Sequence, residues 1–360
     1  MRHLFPRTTW FAILILAAVA ALLPVLNLCF PDGHLLHISG YAMGIVAKFM
    51  CYALAALALD LVWGYTGILS LGHGVFFALG AYAHGMYLMR AIGHDGVYQS
   101  NLPDFMVFLD WKTYPWYWSM TDSFLYCMAL VILVPGILAF IFGFFAFRSR
   151  IKGVYFSIIT QAMTYAFMLL FFRNDTGFGG NNGFTDFKRL LGFSLTSPAT
   201  KAVLFLITLF FLLGALVLCR WIVTSKLGRV LQGVRDSESR LMFIGYNPLW
   251  FKLFVWTLSA VLCSIAGALY VPQVGIINPS EMSPANSIEM VIWAAVGGRG
   301  TLLGPIIGAF TVNGLKSWFT AAFPDLWLYA LGLLFILVTL FMQQGMLGVL
   351  GKFKKTKEAA

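Results

Sequence analysis

Residues 225–250, SKLGRVLQGVRDSESRLMFIGYNPLW, form a polar stretch inside a chain that is otherwise strongly apolar. Of the 360 residues, 60% are hydrophobic and only 11% are charged, and the mean hydropathy is +0.83. This composition lies far outside the range of soluble globular domains. The sequence therefore predicts a polytopic membrane protein that carries one polar segment outside the bilayer. The charged side chains of that segment are Lys226, Arg229, Arg235, Asp236, Glu238 and Arg240.

The apolar runs have the length of membrane-spanning helices. An α-helix needs about 20 residues to cross a hydrocarbon core of about 30 Å, and it satisfies its own backbone hydrogen bonds in lipid. We expect one all-α domain over 1–360 with about ten transmembrane helices. The eighth run is too short to cross alone, and glycines at 297, 298 and 300 separate it from the ninth, so this pair is expected to be broken or re-entrant. The predicted spans are 10–28, 41–63, 67–89, 124–147, 154–172, 202–223, 252–275, 286–297, 303–321 and 327–348.

The basic residues predict the orientation. The net charge is +10, and with ten crossings most lysines and arginines lie on the side of the two termini, together with 225–250. Positive charge accumulates on the cytoplasmic side of membrane proteins. Both termini and the polar segment are therefore expected in the cytoplasm, with the basic tail 352–357 against anionic lipid head groups. A nucleic-acid partner is not expected.

The first apolar run has two interpretations. Its basic start and short apolar stretch are typical of a signal peptide. However, Leu28 precedes Cys29 without a small-residue cleavage site, and cleavage would change the number of crossings. We expect this run to be kept as the first helix. The five cysteines show no paired spacing, so neither a disulfide framework nor a metal site is predicted.

The polar segment contains signals for a short helix at the membrane surface. Asp236 is a suitable N-cap, residues 237–244 lack Gly and Pro, and Gly245 suits the C′ position. In such a helix Leu241 and Ile244 share one side, while Glu238 and Arg240 face solvent. The residues alone leave two alternatives open: a projecting element that binds a cytoplasmic partner, or an ordinary solvated loop.

A resemblance to a known family favours the first alternative. The run GRVLQGVRDSESRLMFIGYNP, followed by KLFVWTLSAVLCSIAGALY, resembles the cytoplasmic coupling segment and next span of ABC importer permeases, most closely the branched-chain amino-acid and urea permease family. The family's Gly-Arg opening corresponds to Gly228 and Arg229, and its Glu and Gly to Glu238 and Gly245. Ser239 and Arg240 stand where the general permease motif has two alanines.

Two further stretches carry the same resemblance. LDLVWGYTGILSLGHGVFFALGAYAHGMYLM, residues 59–89, is similar to the family's second and third spans, and VGGRGTLLGPIIGAF, residues 296–310, to its glycine-interrupted late spans. The outer segments LPDFMVF, PWYW and FFRNDTGFGGNNGFTDF resemble the urea-transporting subfamily more than the amino-acid one. The resemblance thus implies a permease for urea or a short amide, with branched-chain amino acids as the alternative solute.

The resemblance also implies partners. A permease of this kind works with a second homologous permease subunit, two cytoplasmic ATPase subunits and a periplasmic solute-binding protein, in the bacterial inner membrane. The chain lacks the pattern GxxxxGK[ST], so it cannot cradle ATP phosphates itself. We therefore expect no enzymatic activity and no cofactor on this chain, with ATP–Mg on the partner subunits. Its expected ATPase-coupling residues are Gly228, Arg229, Arg235, Asp236, Glu238, Arg240, Leu241 and Gly245.

Polar residues in the spans are candidates for the solute path. Ser157, Thr160, Gln161 and Thr164 follow the helical spacing i, i+3, i+4 and i+7, so they form one stripe of hydrogen-bonding groups. The equal alternative is hydrogen bonding between packed helices. Ser70 and His73 lie among glycines that allow close packing or a gate, and packing is the commoner use. His73 is expected to be a hydrogen-bonded core residue rather than a proton relay.

Two loops are expected on the periplasmic side, 93–123 and 173–201. The first is rich in Trp and Tyr, which suits an interfacial aromatic belt as well as a docking surface. The second holds Asn181, Asn182 and Asp186, which we expect to contact the binding protein unless the loop is a plain turn. The rival to the whole interpretation is an ATP-independent channel or secondary transporter, which the scarcity of ionisable residues in the spans disfavours.

Overall fold

The computed structural model describes residues 6–326 except 32 and 35, together with 329, 330, 332, 333, 336, 337, 345, 346 and 348. The tenth predicted span, 327–348, lies for the most part outside the described residues, and the basic tail 352–357 lies wholly outside them. The described part is built almost entirely of helices, which confirms the predicted all-α class. The helices are α1 Arg7–Cys29, α2 Gly40–Thr66, α3 His73–Arg90, α4 Asp104–Phe108, α5 Phe124–Arg148, α6 Val154–Phe172, α7 Pro198–Thr224, α8 Lys226–Phe243, α9 Pro248–Val274, α10 Pro284–Gly297 and α11 Leu303–Ala322.

Six of the described helices are long and apolar enough to cross a membrane, namely α1, α2, α5, α6, α7 and α9. Their bounds agree closely with the first, second, fourth, fifth, sixth and seventh predicted spans. The eighth predicted span corresponds to α10, which begins at Pro284 and ends before Gly298 and Gly300, both at positive φ. These two glycines interrupt the helix between α10 and α11, as the sequence predicted.

The third predicted span, 67–89, was wrong at its start. Gly67 ends α2 in the left-handed conformation with φ 73°, and α3 begins only at His73. Residues 67–72, which we call the α2–α3 linker, are not helical. Their composition, GILSLG, is as apolar as a helix, so hydropathy alone did not reveal the interruption.

Helix α9 lies at the centre of the bundle and packs against α2, α3 and α5. Small residues let the backbones approach, as in other membrane helix pairs. A Cβ on Gly267 would overlap the carbonyl oxygen of Phe77, and one on Gly80 would overlap that of Ser264. Trp256 is fully buried on α9, and its indole Nε1 donates to the carbonyl oxygen of Ala139, 2.9 Å away. Helix α1 lies at the periphery and packs mainly on α7.

The described strands are only two residues each. They are β1 Phe184–Thr185, β2 Arg189–Leu190, β3 Phe193–Ser194 and β4 Ile276–Ile277. Strand β1 pairs antiparallel with β4, and β2 pairs antiparallel with β3. The first pair joins the loop 173–201 to the segment that follows α9, so this loop is fixed to the bundle.

Candidate functional site

The polar segment contains the short helix that we predicted, and a longer helical piece precedes it. Helix α8 begins at Lys226, eleven residues before the predicted start, and Ser225 caps it by accepting the Gly228 N–H at 3.4 Å. The backbone at Ser237 is extended, with φ −163° and ψ 91°, so it divides α8 into two pieces. The second piece, 238–243, agrees with the predicted helix 237–244, but Ser237 rather than Asp236 stands directly before it. Gly245 has φ 91° and ends the second piece as predicted.

The end of α8 carries a group of large exposed apolar side chains, which we call the α8 tip. Phe243 is 91% exposed and Ile244 is 72% exposed, and Met242 beside them is also exposed. Leu241 instead turns back toward Gly233, so the predicted shared face of Leu241 and Ile244 does not form. Exposed apolar side chains next to polar ones mark a protein-binding surface more often than a solvated loop.

Glu238 is half-buried in two ion pairs, so the expectation that it faces solvent was wrong. Its Oε1 lies 2.6 Å from Nζ of Lys252 on α9, and its Oε2 lies 2.7 Å from Nζ of Lys152 in the α5–α6 loop. Partial burial raises the pKa of the Glu238 carboxyl, but the hydrogen bonds and charges of the two lysines outweigh it and hold that pKa below its ordinary value of 4.5. Glu238 therefore fastens the second piece of α8 to the bundle.

Arg235 connects α8 to the C-terminal end of α2. Its guanidinium donates to the carbonyl oxygen of Gly64 at 3.0 Å and to Oδ1 of Asp236 at 2.9 Å. Its side chain also lies beside Gly67, where a Cβ would stand 3.1 Å from Cγ of Arg235. Arg229, Asp236 and Arg240 are exposed, whereas Gly228 is buried against α7.

Asp60 holds the segment between α10 and α11, residues 298–302, which we call the glycine loop. Its buried carboxylate accepts the N–H of Gly300 at 2.6 Å and that of Leu302 at 3.2 Å. Tyr65 donates its hydroxyl to the carbonyl oxygen of Gly300 at 2.8 Å. A Cβ on Gly64 would stand 2.6 Å from Cα of Gly300, so α2 and the glycine loop touch backbone to backbone.

The predicted stripe on α6 lies against the α2–α3 linker. Ser157 donates to the carbonyl oxygen of Leu69 at 2.8 Å, Thr160 accepts the N–H of Leu71 at 3.1 Å, and Thr164 donates to the carbonyl oxygen of Leu71 at 3.3 Å. A non-helical backbone within a membrane needs such partners, because lipid supplies none. The three hydroxyls thus satisfy the linker, while Gln161, the fourth member of the stripe, is only partly buried.

His73 is a hydrogen-bonded core residue, as expected. Its Nδ1 lies 3.0 Å from Oγ of Ser70, and its Nε2 lies 2.8 Å from Oγ of Ser259. Ser259 in turn donates to the carbonyl oxygen of Ala58. Ser70 and His73 therefore tie the end of the linker to α9 and α2, and both side chains are fully buried.

The loops 93–123 and 173–201 pack against each other. Tyr117 donates to the carbonyl oxygen of Thr176 at 2.7 Å, and the indole of Trp118 donates to that of Gly177 at 2.9 Å. Trp118 is buried and Trp116 is 85% exposed, so the aromatic residues do not share one environment. A surface cavity of about 390 Å³ is lined by residues of both loops, and Asn181, Asn182 and Asp186 line part of it with exposed side chains.

Sequence reasoning missed two groups of this site. The partners of Asp60 lie about 240 residues further along the chain. Lys252 is a partner of Glu238. In both cases the available signal was a single charge inside an apolar run, where a charge is costly unless it is paired.

The chain matches the family model described as branched-chain amino acid transport system / permease component over residues 41–339. It is 24% identical to the high-affinity branched-chain amino acid transport system permease protein LivM of Escherichia coli strain K12, over 90% of this chain and 74% of the relative. LivM of Salmonella typhimurium is also 24% identical, over 86% of this chain and 71% of that protein.

A more distant likeness reaches sugar permeases. The ribose import permease protein RbsC of Escherichia coli strain K12 is 26% identical over 38% of this chain and 44% of its own length. No solved structure matches the chain. The family match over 41–339 covers the helices that hold the linker, the glycine loop and α8.

Proposed function

Because the chain belongs to the family of permease components of branched-chain amino acid transport systems, we propose that it is the membrane-spanning subunit of an ATP-driven importer in which α8 receives the movement of the ATPase. As a permease subunit it performs no covalent chemistry. The family match over 41–339, which includes α8, carries the proposal. The exposed α8 tip, with Phe243 and Ile244, supports it as the contact with the ATPase.

The proposed assembly contains a second homologous permease, two cytoplasmic ATPase subunits that bind ATP–Mg, and a periplasmic solute-binding protein. It lies in the bacterial inner membrane, with both termini and residues 225–250 in the cytoplasm. Asn181, Asn182 and Asp186 are proposed to face the binding protein, because they are exposed beside the packed outer loops. Lipid is the other partner, in keeping with the apolar surfaces of α1 and α5.

We place the solute path along α6 and the linker, through Ser70, His73, Ser157, Thr160, Gln161 and Thr164. The structure gives most of these groups a hydrogen-bond partner, so their role in transport is to hold the linker where solute passes. Gln161, which is partly exposed, is the member of the stripe that we expect to contact solute directly.

Branched-chain amino acids are the proposed solute, since the relatives that span most of the chain carry that printed description. Urea is the second candidate, because loops 93–123 and 173–201 resemble those of urea-transporting members of the family. Reconstituted complete transporter should import labelled leucine when ATP is supplied. If labelled urea is imported and leucine neither enters nor competes, urea replaces the amino acids as the solute.

The same vesicles test the class of transporter. Import is expected to require the ATPase subunits, because we propose that the ATPase is what moves α8. Vesicles that contain only the permease chains should therefore show no uptake above that of empty vesicles. Uptake at the full rate without ATPase subunits would instead identify a channel or secondary transporter.

The orientation has its own test. A single cysteine placed at Ser239, which is exposed, should react with a membrane-impermeant maleimide only in opened cells or inside-out vesicles. Reaction in intact cells would place α8 outside and remove its contact with a cytoplasmic ATPase. The matched position is Asn182 in the outer loop, which should react in intact cells.

A further inference from the structure

A group of aromatic and charged side chains lies between α2, α9 and α10, apart from the polar groups described so far. The ring centroids of Tyr52 and Trp293 are 4.8 Å apart, and those of Tyr52 and Tyr270 are 5.7 Å apart. Nζ of Lys48 lies 5.7 Å from the centroid of Tyr52 and 5.9 Å from that of Tyr270. We call these residues, with Glu281, the aromatic site.

Two hydrogen-bond donors of the aromatic site have no acceptor among the described residues. One is Nε1 of Trp293, whose side chain is 3% exposed, and the other is the partly exposed ammonium of Lys48, which lies near the two tyrosine rings. A buried donor without an acceptor, such as Nε1 of Trp293, is costly, so native proteins rarely keep one without a function. Both side chains lie next to Tyr52.

Lys48 also borders open space. It lines a cavity of about 470 Å³ between α2, α7 and α9, together with Gln273 and Lys201, and it is the one member of the aromatic site among the residues that line this cavity. A cavity of this size accommodates a small solute. By contrast, Lys316 on α11 is paired with Glu289 at 2.8 Å, so it offers much less to a ligand than Lys48 does.

The opposite charge lies at the hydroxyl of Tyr270. Glu281 accepts the hydroxyl of Tyr270 at 3.2 Å on Oε1 and the amide of Asn286 at 3.3 Å on Oε2. Each carboxylate oxygen accepts more than one hydrogen bond, so Glu281 keeps capacity for further N–H donors. Of the charged groups around Glu281, Lys48 acts on it most strongly. The aromatic site therefore offers donors at one end and an acceptor at the other.

We propose that the aromatic site binds the transported solute, with Lys48 and Trp293 donating to its oxygen and Glu281 accepting from its nitrogen. The ligand class is a compact molecule that carries an acceptor oxygen and N–H donors a few bonds apart. An α-amino acid meets this with its carboxylate and ammonium, and urea meets it with its carbonyl and amide groups. The inference rests on the proposed function, which supplies both solutes.

The charge of the ligand distinguishes an amino acid from urea in this site. A carboxylate gains a full ion pair with Lys48, and ion-assisted hydrogen bonds are about twice as strong as neutral ones. Lys48→Met should therefore weaken binding of an amino acid far more than binding of urea. Trp293→Phe removes one neutral donor while keeping the ring, so it should weaken both solutes to a similar, smaller extent.

The test is equilibrium binding of labelled leucine and labelled urea to the purified complete transporter without binding protein. For the solute that the wild type imports, Trp293→Phe should raise Kd about fivefold. If leucine is the solute, Lys48→Met should raise Kd by about tenfold or more, and Lys48→Arg should restore part of it. If urea is the solute, Lys48→Met should raise Kd only about fivefold, as Trp293→Phe does.

Matched controls are Trp221→Phe, which alters an exposed tryptophan of α7, and Lys112→Gln, which alters an exposed lysine of loop 93–123. Basal ATPase activity and thermal midpoint report whether each variant is folded. Wild-type import with unchanged Kd in folded Lys48→Met and Trp293→Phe overturns the aromatic site and leaves the proposed function intact. A wild type that imports neither solute overturns the proposed function and the site with it.

Discussion

The bundle contains two non-helical segments that are held in different ways. The α2–α3 linker, 67–72, receives neutral hydroxyls from Ser157, Thr160 and Thr164 of α6. The glycine loop, 298–302, is held by the carboxylate of Asp60 on α2. Hydrogen bonds to a charged acceptor are stronger than neutral ones, so the glycine loop is bound more tightly to α2 than the linker is to α6.

The two segments meet at Arg235. Its guanidinium binds the carbonyl oxygen of Gly64, which lies against the glycine loop, and its side chain lies beside Gly67, the first residue of the linker. A displacement of α8 is therefore expected to move α2 and the glycine loop as one body. The linker, with weaker neutral bonds, is the part that can change its contacts. We therefore propose that the glycine loop transmits the movement of α8 and that the linker changes its contacts.

The largest expected effect comes from Gly64→Ala. A Cβ there would stand 2.6 Å from Oδ1 of Asp60 and from backbone atoms of Gly300, which cannot turn aside. Overpacking of this kind costs about 1 to 3 kcal/mol. Thermal midpoint and ATP-driven uptake should both fall. Gly214→Ala on α7, where nothing lies within 4 Å, is the control and should leave both unchanged. Equal behaviour of the two variants would disprove the close contact.

Asp60→Asn should have the next largest effect. An amide has one acceptor oxygen and no charge, so it cannot accept the N–H groups of Gly300 and Leu302 as the carboxylate does. Leaving a buried donor unpaired costs about 1 to 3 kcal/mol. The expected result is a lower thermal midpoint and a glycine loop that opens to hydrogen exchange, measured at Gly300 and Leu302. Unchanged hydrogen exchange at both amides would contradict the conclusion that Asp60 holds the glycine loop.

Thr160→Val tests the neutral hydrogen bonds that hold the linker. It removes the acceptor for the N–H of Leu71 but no charge, so it should cost about 1 kcal/mol, less than Asp60→Asn. Hydrogen exchange should rise at Leu71 and stay constant at Gly300. A larger loss of stability than in Asp60→Asn would reverse the ranking of the two segments.

The smallest effect concerns Glu238 and depends on pH. Because the pKa of its carboxyl lies below 4.5 in the folded chain, the contribution of its two ion pairs is complete above pH 4.5 and is lost as the pH falls below it. Glu238→Gln should lower the thermal midpoint slightly at pH 7, and the difference from wild type should vanish in acid. The control is Asp175→Asn, which breaks the exposed ion pair between Asp175 and Arg173. A difference that persists unchanged below the folded pKa would rule out the ion pairs as its cause.

Apolar length predicted α1, α2, α5, α6, α7 and α9 because lipid requires about 20 apolar residues for each crossing. It did not reveal the linker, since GILSLG is apolar but is held by hydroxyls from another helix. The early start of α8 depended on the cap at Ser225, which the prediction overlooked in favour of Asp236. The partners of Asp60 and Glu238 lie far away in sequence, and spacing rules cannot reach them.

We propose above all that α8 transmits the movement of the ATPase through Arg235. The direct measurement is the number of ATP molecules hydrolysed per solute imported in vesicles with the complete transporter. Arg235→Ala, which breaks the bond to Gly64, should keep ATP hydrolysis and raise this number severalfold, whereas Lys226→Ala, an exposed cation of the same helix, should leave it unchanged. An unaltered ratio in Arg235→Ala would contradict the account.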